Sequence, residues 1–460
     1  MVSILLFILG VLIMVVAVGA SIGLHEVGHL IPAKRFGVRV PQYMIGFGKT
    51  LWSFKRGDTE YGFKAIPLGG YISMIGMYPP ARNKGLVGAT DAPILRKSST
   101  GMFQQMADEA RHAAAEQLQP GDENRLFYKL PVYKRVIIML GGPVMNLLIG
   151  VVMIGIVTVG FGMPAQTSTV DEVYQCVVPL GEESSRDSSV NNGCLPSDAP
   201  GPAYAAGLRP GDVITSFDGA EVGTTDWVGL TQAIRGHAGE SVPLVYERDG
   251  VEHSTTITPY KTERPVINDE GQVVTDASGA PQTVEVGFIG MGSDVRNIQQ
   301  PVSAVLPAVG QQIAGVSAVV LDLPARVAAV GKAAFSDTPR DPNGPISVVG
   351  VGRIAGEISA MEQIGVADKA ASLISLIGGL NIALFVFNLI PLLPLDGGHI
   401  IGALFESVRR LFAKLFRRPD PGPVDIAKML PLTYVVAVGM MIMGAVLIYA
   451  DIVKPVSIFG

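Results

Sequence analysis

The chain has 460 residues, of which 48% are hydrophobic and 16% charged. Soluble domains carry about 25% charged residues, so an ordinary soluble protein is excluded. The net charge of −5 argues against a nucleic-acid partner, and the basic residues cluster beside apolar runs rather than forming a surface of their own.

The first run, from about Val2 to Leu24, contains no charge. A helix of ~20 such residues crosses a bilayer. The run has no positive n-region and is longer than the usual h-region, so it reads as a retained anchor rather than a cleaved signal peptide. His25-Glu26-Val27-Gly28-His29 follows directly. Imidazoles at i and i+4 share one helix face and can bind one Zn²⁺, and Glu26 between them is placed as general base for the attacking water. Ionisable groups in a span are costly and mark function. The plain alternative is a pair of hydrogen-bonded histidines with an incidental Glu, but three uncommon residues at metalloprotease spacing favour the metal.

Leu51–Phe54 and Tyr61–Ile66 alternate around the turn residues Lys55-Arg56-Gly57-Asp58, a β-hairpin signal, and Pro67 to Met74 continues as a Gly-containing strand. With the first helix these make a unit over 1–78. Residues 79–134 read as a cytoplasmic insertion with a helical piece near Met102–Leu118. A second span is expected over 135–162. It contains Gly141-Gly142-Pro143-Val144-Met145-Asn146, residues tolerated in a span that packs against other helices.

From Met163 to Ala371 acids outnumber bases about two to one, whereas from Ile31 to Arg135 the ratio is reversed. Such alternation implies several spans with the basic loops cytoplasmic and the N-terminus outside. Within the acidic stretch, residues 168–292 form a compact domain. Ala206 to Gly219 places two Gly turns around a short strand, Thr225–Ile234 fits a helix, and Val242–Arg248 and Glu252–Thr258 flank Asp249-Gly250 as a hairpin. Cys176 and Cys194 are the chain's two cysteines. They lie in this extracytoplasmic segment, where disulfides persist, and are expected to be bonded.

Residues 293–371 read as amphipathic linker helices. The apolar stretch 301–330 is interrupted by Gln311, Gln312, Asp322, Pro324 and Arg326, which favours a surface helix over a span. Two more spans, about 372–394 and 432–452, complete a unit over 372–460. The third carries Asn381 and Asn388 and breaks at Pro391 and Pro394 just before Asp396-Gly397-Gly398-His399. Four spans put the His pair and Asp396 on one side of the membrane; a fifth would separate them. A hydrolytic zinc site takes a third protein ligand. Asp396 is the best candidate and His399 a weaker one.

These motifs together resemble a known family. His-Glu-x-x-His, Gly-Phe-Gly at 46–48, Pro-Leu-Gly-Gly-Tyr at 67–71, Gly-Pro-x-x-Asn at 142–146 and Asn-Leu-Ile-Pro-x-x-Pro-Leu-Asp-Gly-Gly at 388–398 are similar to those of site-2 proteases, intramembrane zinc metalloproteases. The Ala-Gly-Leu-x-Pro-Gly-Asp run at 206–212 resembles a PDZ-like domain, so the chain is similar to the bacterial regulator-of-sigma-E protease branch with a single such domain. Its long insertions resemble those of actinobacterial members. The fold class expected is a four-span α-helical membrane protein with a membrane-associated β-hairpin region and an extracytoplasmic α+β PDZ-like domain.

The resemblance implies zinc held by His25, His29 and Asp396, with Glu26 as base and proton shuttle. It implies a β-region over 46–76, including Gly69, Gly70 and Tyr71, that pairs with an unwound substrate, and an Asn388 that hydrogen-bonds the substrate backbone. A helical peptide bond is shielded by its own ladder, and strand addition would hold the substrate open. The activity implied is cleavage, in the cell membrane, of transmembrane segments of single-span proteins. These would be anti-sigma-factor-like proteins or remnant signal peptides, after a site-1-type protease has cut outside. Two other classes compete: a PDZ scaffold with a vestigial metal site, and a zinc transporter, which would need polar residues along several spans.

Overall fold

The computed structural model describes residues 2–79, 116, 118–179, 193–266, 273–275, 281–336, 338, 340–341 and 344–456. Most of the 79–120 insertion, including nearly all of the helix expected near Met102–Leu118, lies outside the described residues. Contacts divide the chain into two compact units, Gly162–Gln299 and the remainder.

Helix α1 (Val2–Arg35) runs unbroken through the His-Glu-x-x-His segment. Its 34 residues span about 51 Å at 1.5 Å per residue, so the His pair lies within the helix rather than after it. Strands β1 (Gln42–Arg56) and β2 (Thr59–Ser73) follow, turning at Gly57, whose φ of +62° suits glycine. Residues 42–45 of β1 face two stretches of β2 at once, Glu60–Phe63 and Gly70–Ser73. The sheet therefore folds back on itself. Gly46 permits the bend: its φ is +94°, and a Cβ there would lie 2.6 Å from the Ile66 carbonyl oxygen. Helix α2 (Val132–Gly155) continues as a π-helical stretch to Phe161.

The second unit carries β3 (Met163–Val173), β4 (Val213–Phe217), β5 (Ala220–Glu221), α3 (Trp227–Gly236), β6 (Val242–Arg248), β7 (Val251–Ile257), β8 (Tyr260–Pro265), β9 (Thr283–Phe288) and β10 (Met291–Ile298). Its main sheet has the order β10-β3-β4-β6-β7 with β5 on β4, and β8 pairs separately with β9. Ile214, Phe217, Leu230, Leu244 and Ile257 form its core. Cys176 and Cys194 are disulfide-bonded.

The chain then returns as α4 (Val305–Leu321), α5 (Leu323–Ala334), α6 (Val348–Ala360), α7 (Val366–Asn388), α8 (Asp396–Leu415) and α9 (Leu430–Val453). Among the described residues, five helical segments are long and apolar enough to cross a membrane: Val2–Arg35, Val132–Phe161, Val302–Leu321, Val366–Asn388 and Ile426–Val453. The sequence expectation counts four and leaves 302–321 out. Two features differ from the sequence reading. Helix α6, in the expected linker, buries eight of its 13 residues, with Val351 and Ala355 packed against Met14 of α1. Between the expected spans 372–394 and 432–452, where the sequence reading places no element, lies the helix α8 (Asp396–Leu415).

Glycine sets the closeness of the helices that matter most. A Cβ on Gly28 of α1 would lie 2.2 Å from the Gly141 carbonyl oxygen of α2, and one on Gly141 would lie 2.0 Å from that of Gly28. The two backbones are in contact. Gly150 of α2 likewise receives Ile382 of α7.

Candidate metal centre

Helical spacing places His25 and His29 one turn apart on α1, with their Nε2 atoms 3.2 Å from each other. Asp396 arrives from the start of α8, and its Oδ2 lies 3.3 Å from both Nε2 atoms. What aims it there is a tight reversal after α7. A Cβ on Gly397 would lie 2.3 Å from the Ile390 carbonyl oxygen, and one on Gly398 would lie 2.6 Å from the Leu393 nitrogen. Only glycine lets the helix begin so close to the turn.

These three residues are the one metal-competent cluster of His, Cys, Asp and Glu among the described residues. Their geometry fits zinc. Four donors at about 2.0–2.1 Å in a tetrahedron stand about 3.3 Å apart, matching the three spacings here. Asp396 Oδ2 is buried and has no hydrogen-bond partner among the described residues. The space in front of the imidazoles is kept open by Gly142: a Cβ there would lie 2.2 Å from His29 Nε2 and 2.7 Å from His25 Nε2.

Both rings are held from behind. His29 Nδ1 donates to the Ile138 carbonyl at 2.7 Å, which leaves Nε2 with its lone pair for a metal. His25 Nδ1 faces the Asn146 side-chain amide, 3.2 Å from its Nδ2. With a metal on Nε2, Nδ1 carries the proton, so the amide would present its Oδ1, which is buried and otherwise unpartnered among the described residues. Sequence reasoning had Asn146 as part of a motif without a role. A lone amide in mid-span was the available signal, since a polar group there needs a specific partner.

Glu26, on the same helix as the two histidines, is buried at 9% exposure and lies against the sheet. The Ile72 backbone N–H faces its carboxylate, and a Cβ on Gly70 would lie 3.2 Å from its Cγ. Residues 70–73 pair with β1 on one side, so their other edge is presented to Glu26. Gly69 and Tyr71 lie in the same strand, where Tyr71 stacks on Phe47 with centroids 6.2 Å apart and donates to Gln42 at 3.1 Å. Asn388 is the last residue of α7 and is half-buried. His399, one turn after Asp396, is not among the three clustered donors, and its Nδ1 is buried without a partner among the described residues.

The sequence matches the family described as Peptidase family M50 over residues 13–417. It is 34% identical over 463 residues to zinc metalloprotease Rip1 of Mycobacterium tuberculosis, covering 99% of this chain and all of that one. Identity to zinc metalloprotease Rip1 of Mycolicibacterium smegmatis is 31% over 475 residues, covering 99% and 100%. Metalloprotease MmpA of Caulobacter vibrioides is 28% identical over 419 residues, covering 87% of this chain and 88% of that one.

Proposed function

From the membership of this chain in peptidase family M50, the site-2 proteases, we propose a specific course for its action as an intramembrane zinc metalloprotease. It cuts transmembrane segments of single-span proteins, anti-sigma-factor-like proteins or remnant signal peptides, after another protease has cut them outside the membrane. The observation that carries this reading is the position of Glu26 between the His25–His29–Asp396 cluster and the edge of β2. A metal depot or a scaffold has no use for a carboxylate there. A transporter needs polar groups at several depths rather than at one.

Zinc on His25, His29 and Asp396 would polarise a water and the scissile carbonyl, bringing the water's pKa to about 7. The residues around it supply the rest. The Gly70–Ser73 edge accepts an unwound substrate as an added strand, which holds the peptide bond extended in front of the cluster. Glu26 takes a proton from the attacking water and delivers it to the leaving nitrogen. Ile72 N–H orients Glu26, and Asn146 and the Ile138 carbonyl hold the two imidazoles. Asn388 hydrogen-bonds the substrate backbone beside the break in the helix.

The topology that fits is four spans, with 302–321 dipping rather than crossing, the N-terminus outside and the basic loops cytoplasmic. Residues 162–299 act as an extracytoplasmic PDZ-like domain that admits trimmed stubs and blocks bulky ectodomains. The test is cleavage of a single-span substrate in reconstituted vesicles. The wild type should cut a pre-trimmed stub and Glu26→Gln should not. A stub left uncut by metal-loaded wild type, or cut equally by the variant, overturns the reading. Replacing residues 162–299 with a flexible linker should expose intact substrates to cleavage; if they stay uncut, the filter role fails.

A further inference from the structure

One cleft on the first unit combines features that proteolysis does not use. Trp52, Phe54 and Arg56 share one face of β1, since strand side chains alternate. They pair across to Phe63, Tyr61 and Thr59 of β2. The rings form a ladder along that face. Trp52 lies 6.2 Å from Phe63 and 5.2 Å from Phe54, and Phe54 lies 5.4 Å from Tyr61, centroid to centroid. Trp52, Phe54 and Phe63 are about half exposed, an unusual display for three large apolar rings.

Toward the turn the ladder gives way to cations. Lys34, in the last turn of α1, donates to the Tyr61 hydroxyl at 2.7 Å and sits 5.2 Å from the centroid of its ring. Lys34, Phe54, Arg56, Gly57 and Tyr61 line a concavity of about 420 Å³. The acids of the hairpin are engaged elsewhere. Asp58 pairs with Arg125 at 2.7 Å, and Glu60, on the other face, accepts from Ser53 at 2.7 Å. The cleft thus presents two cations and no carboxylate.

Along this one face the order is apolar ring, amphipathic ring, cation. Half a bilayer has the matching order of acyl chain, glycerol region and phosphate. Aromatic rings favour the interface, and long basic side chains reach from it to the head groups. A free phosphate would use the cations but not the exposed rings that lead to them.

We propose that this cleft binds an anionic phospholipid, its phosphate between Lys34 and Arg56 and its chains along Trp52 and Phe63. The ligand also has a route to the reaction centre. Tyr61 packs at a tilt against Tyr43, centroids 5.5 Å apart, and the Tyr43 hydroxyl donates to the Gly23 carbonyl of α1, two residues before His25. A bound lipid would therefore steady the sheet against the helix that carries Glu26. The proposal rests on α1 crossing the bilayer and not on the proteolytic reading, so either can fail without the other.

The chain has two tryptophans, so in full-length Trp227→Phe protein the fluorescence reports on Trp52. The protein is reconstituted in phosphatidylcholine vesicles containing equal small fractions of brominated phosphatidylcholine or brominated phosphatidylglycerol. The brominated anionic lipid should quench Trp52 more strongly, with an enrichment of about 5-fold per cation, the ratio equivalent to about 1 kcal/mol. Lys34→Gln with Arg56→Gln should abolish the preference, and Lys34→Arg with Arg56→Lys should keep it. Equal quenching by the two lipids in the Trp227→Phe protein with the cleft intact overturns the proposal, whatever the cleft variants do. So does a preference that survives the double Gln change, or one that inorganic phosphate in the buffer removes.

Discussion

Helix α8 holds two carboxylates, one fully buried and one half-buried, and treats them in opposite ways. Glu406 is fully buried. Its Oε1 lies 2.5 Å from Arg135 of α2 and 3.0 Å from Arg410, and the Val424 N–H donates to its Oε2 at 3.0 Å. Asp396, ten residues earlier, has an Oδ2 facing two imidazoles, with no hydrogen-bond donor among the described residues. Removing an ion from water costs several kcal/mol unless a partner compensates. At Glu406 the chain supplies that partner twice over. At Asp396 it supplies none, and the charge is left for a cation from outside. One helix thus shows how this protein neutralises an acid that only holds structure, and how it leaves one short for chemistry.

The comparison breaks most severely at the short end. His25→Ala, His29→Ala and Asp396→Ala should each lose bound zinc and cleavage together, read by metal analysis of purified protein beside a stub-cleavage assay. An Asp396→Ala protein with full activity would end its assignment as a ligand. Glu26→Gln should separate the two readouts. Cleavage should fall by about 10²–10⁴-fold, as for loss of a general base, while zinc stays at wild-type stoichiometry.

At the saturated end the effect is on folding. Arg135→Ala leaves Glu406 with Arg410 and the Val424 N–H and should cost about 1–3 kcal/mol, seen as a lowered thermal midpoint in detergent. Arg135→Met combined with Glu406→Leu removes both charges and should recover most of that loss. If the double variant is no better than the single, the pair is not what stabilises this contact. The smallest effect sharpens the other side: Asn146→Ala frees the back of His25 and should weaken zinc affinity by about 10–100-fold, measured by chelator competition. Unchanged affinity would leave Asn146 without an orienting role.

The multi-span plan and the β-region were legible because each signal is local. An uncharged run long enough to span and an alternating pair of strands can be read without knowing what packs on them. The His pair was legible for the same reason, since four residues of helix suffice to bring two imidazoles together. What could not be read depends on distant segments. Pro391 and Pro394 announce a break, but not that a helix restarts at once at Asp396, with Gly397 and Gly398 against the backbone of residues 389, 390, 392 and 393. The basic residues of α8 look like a loop until Arg135, 271 positions away, is found on Glu406. Helix α6 is glycine-rich and carries the Arg353–Glu357 pair, which suggests a surface linker, but its small residues let it settle on α1. Ile138 and Ile72 contribute backbone groups, which no residue pattern announces.

Gly142 has a last consequence, for inhibition. The wall opposite His25 and His29 is bare backbone, because any side chain there would strike the ring nitrogens. A small molecule entering that space finds no side-chain pocket to fill on that wall. Affinity in that space has to come from a group that chelates the metal. Side chains line the approach again only further along the sheet of β1 and β2, where Phe47 and Tyr71 stack with centroids 6.2 Å apart.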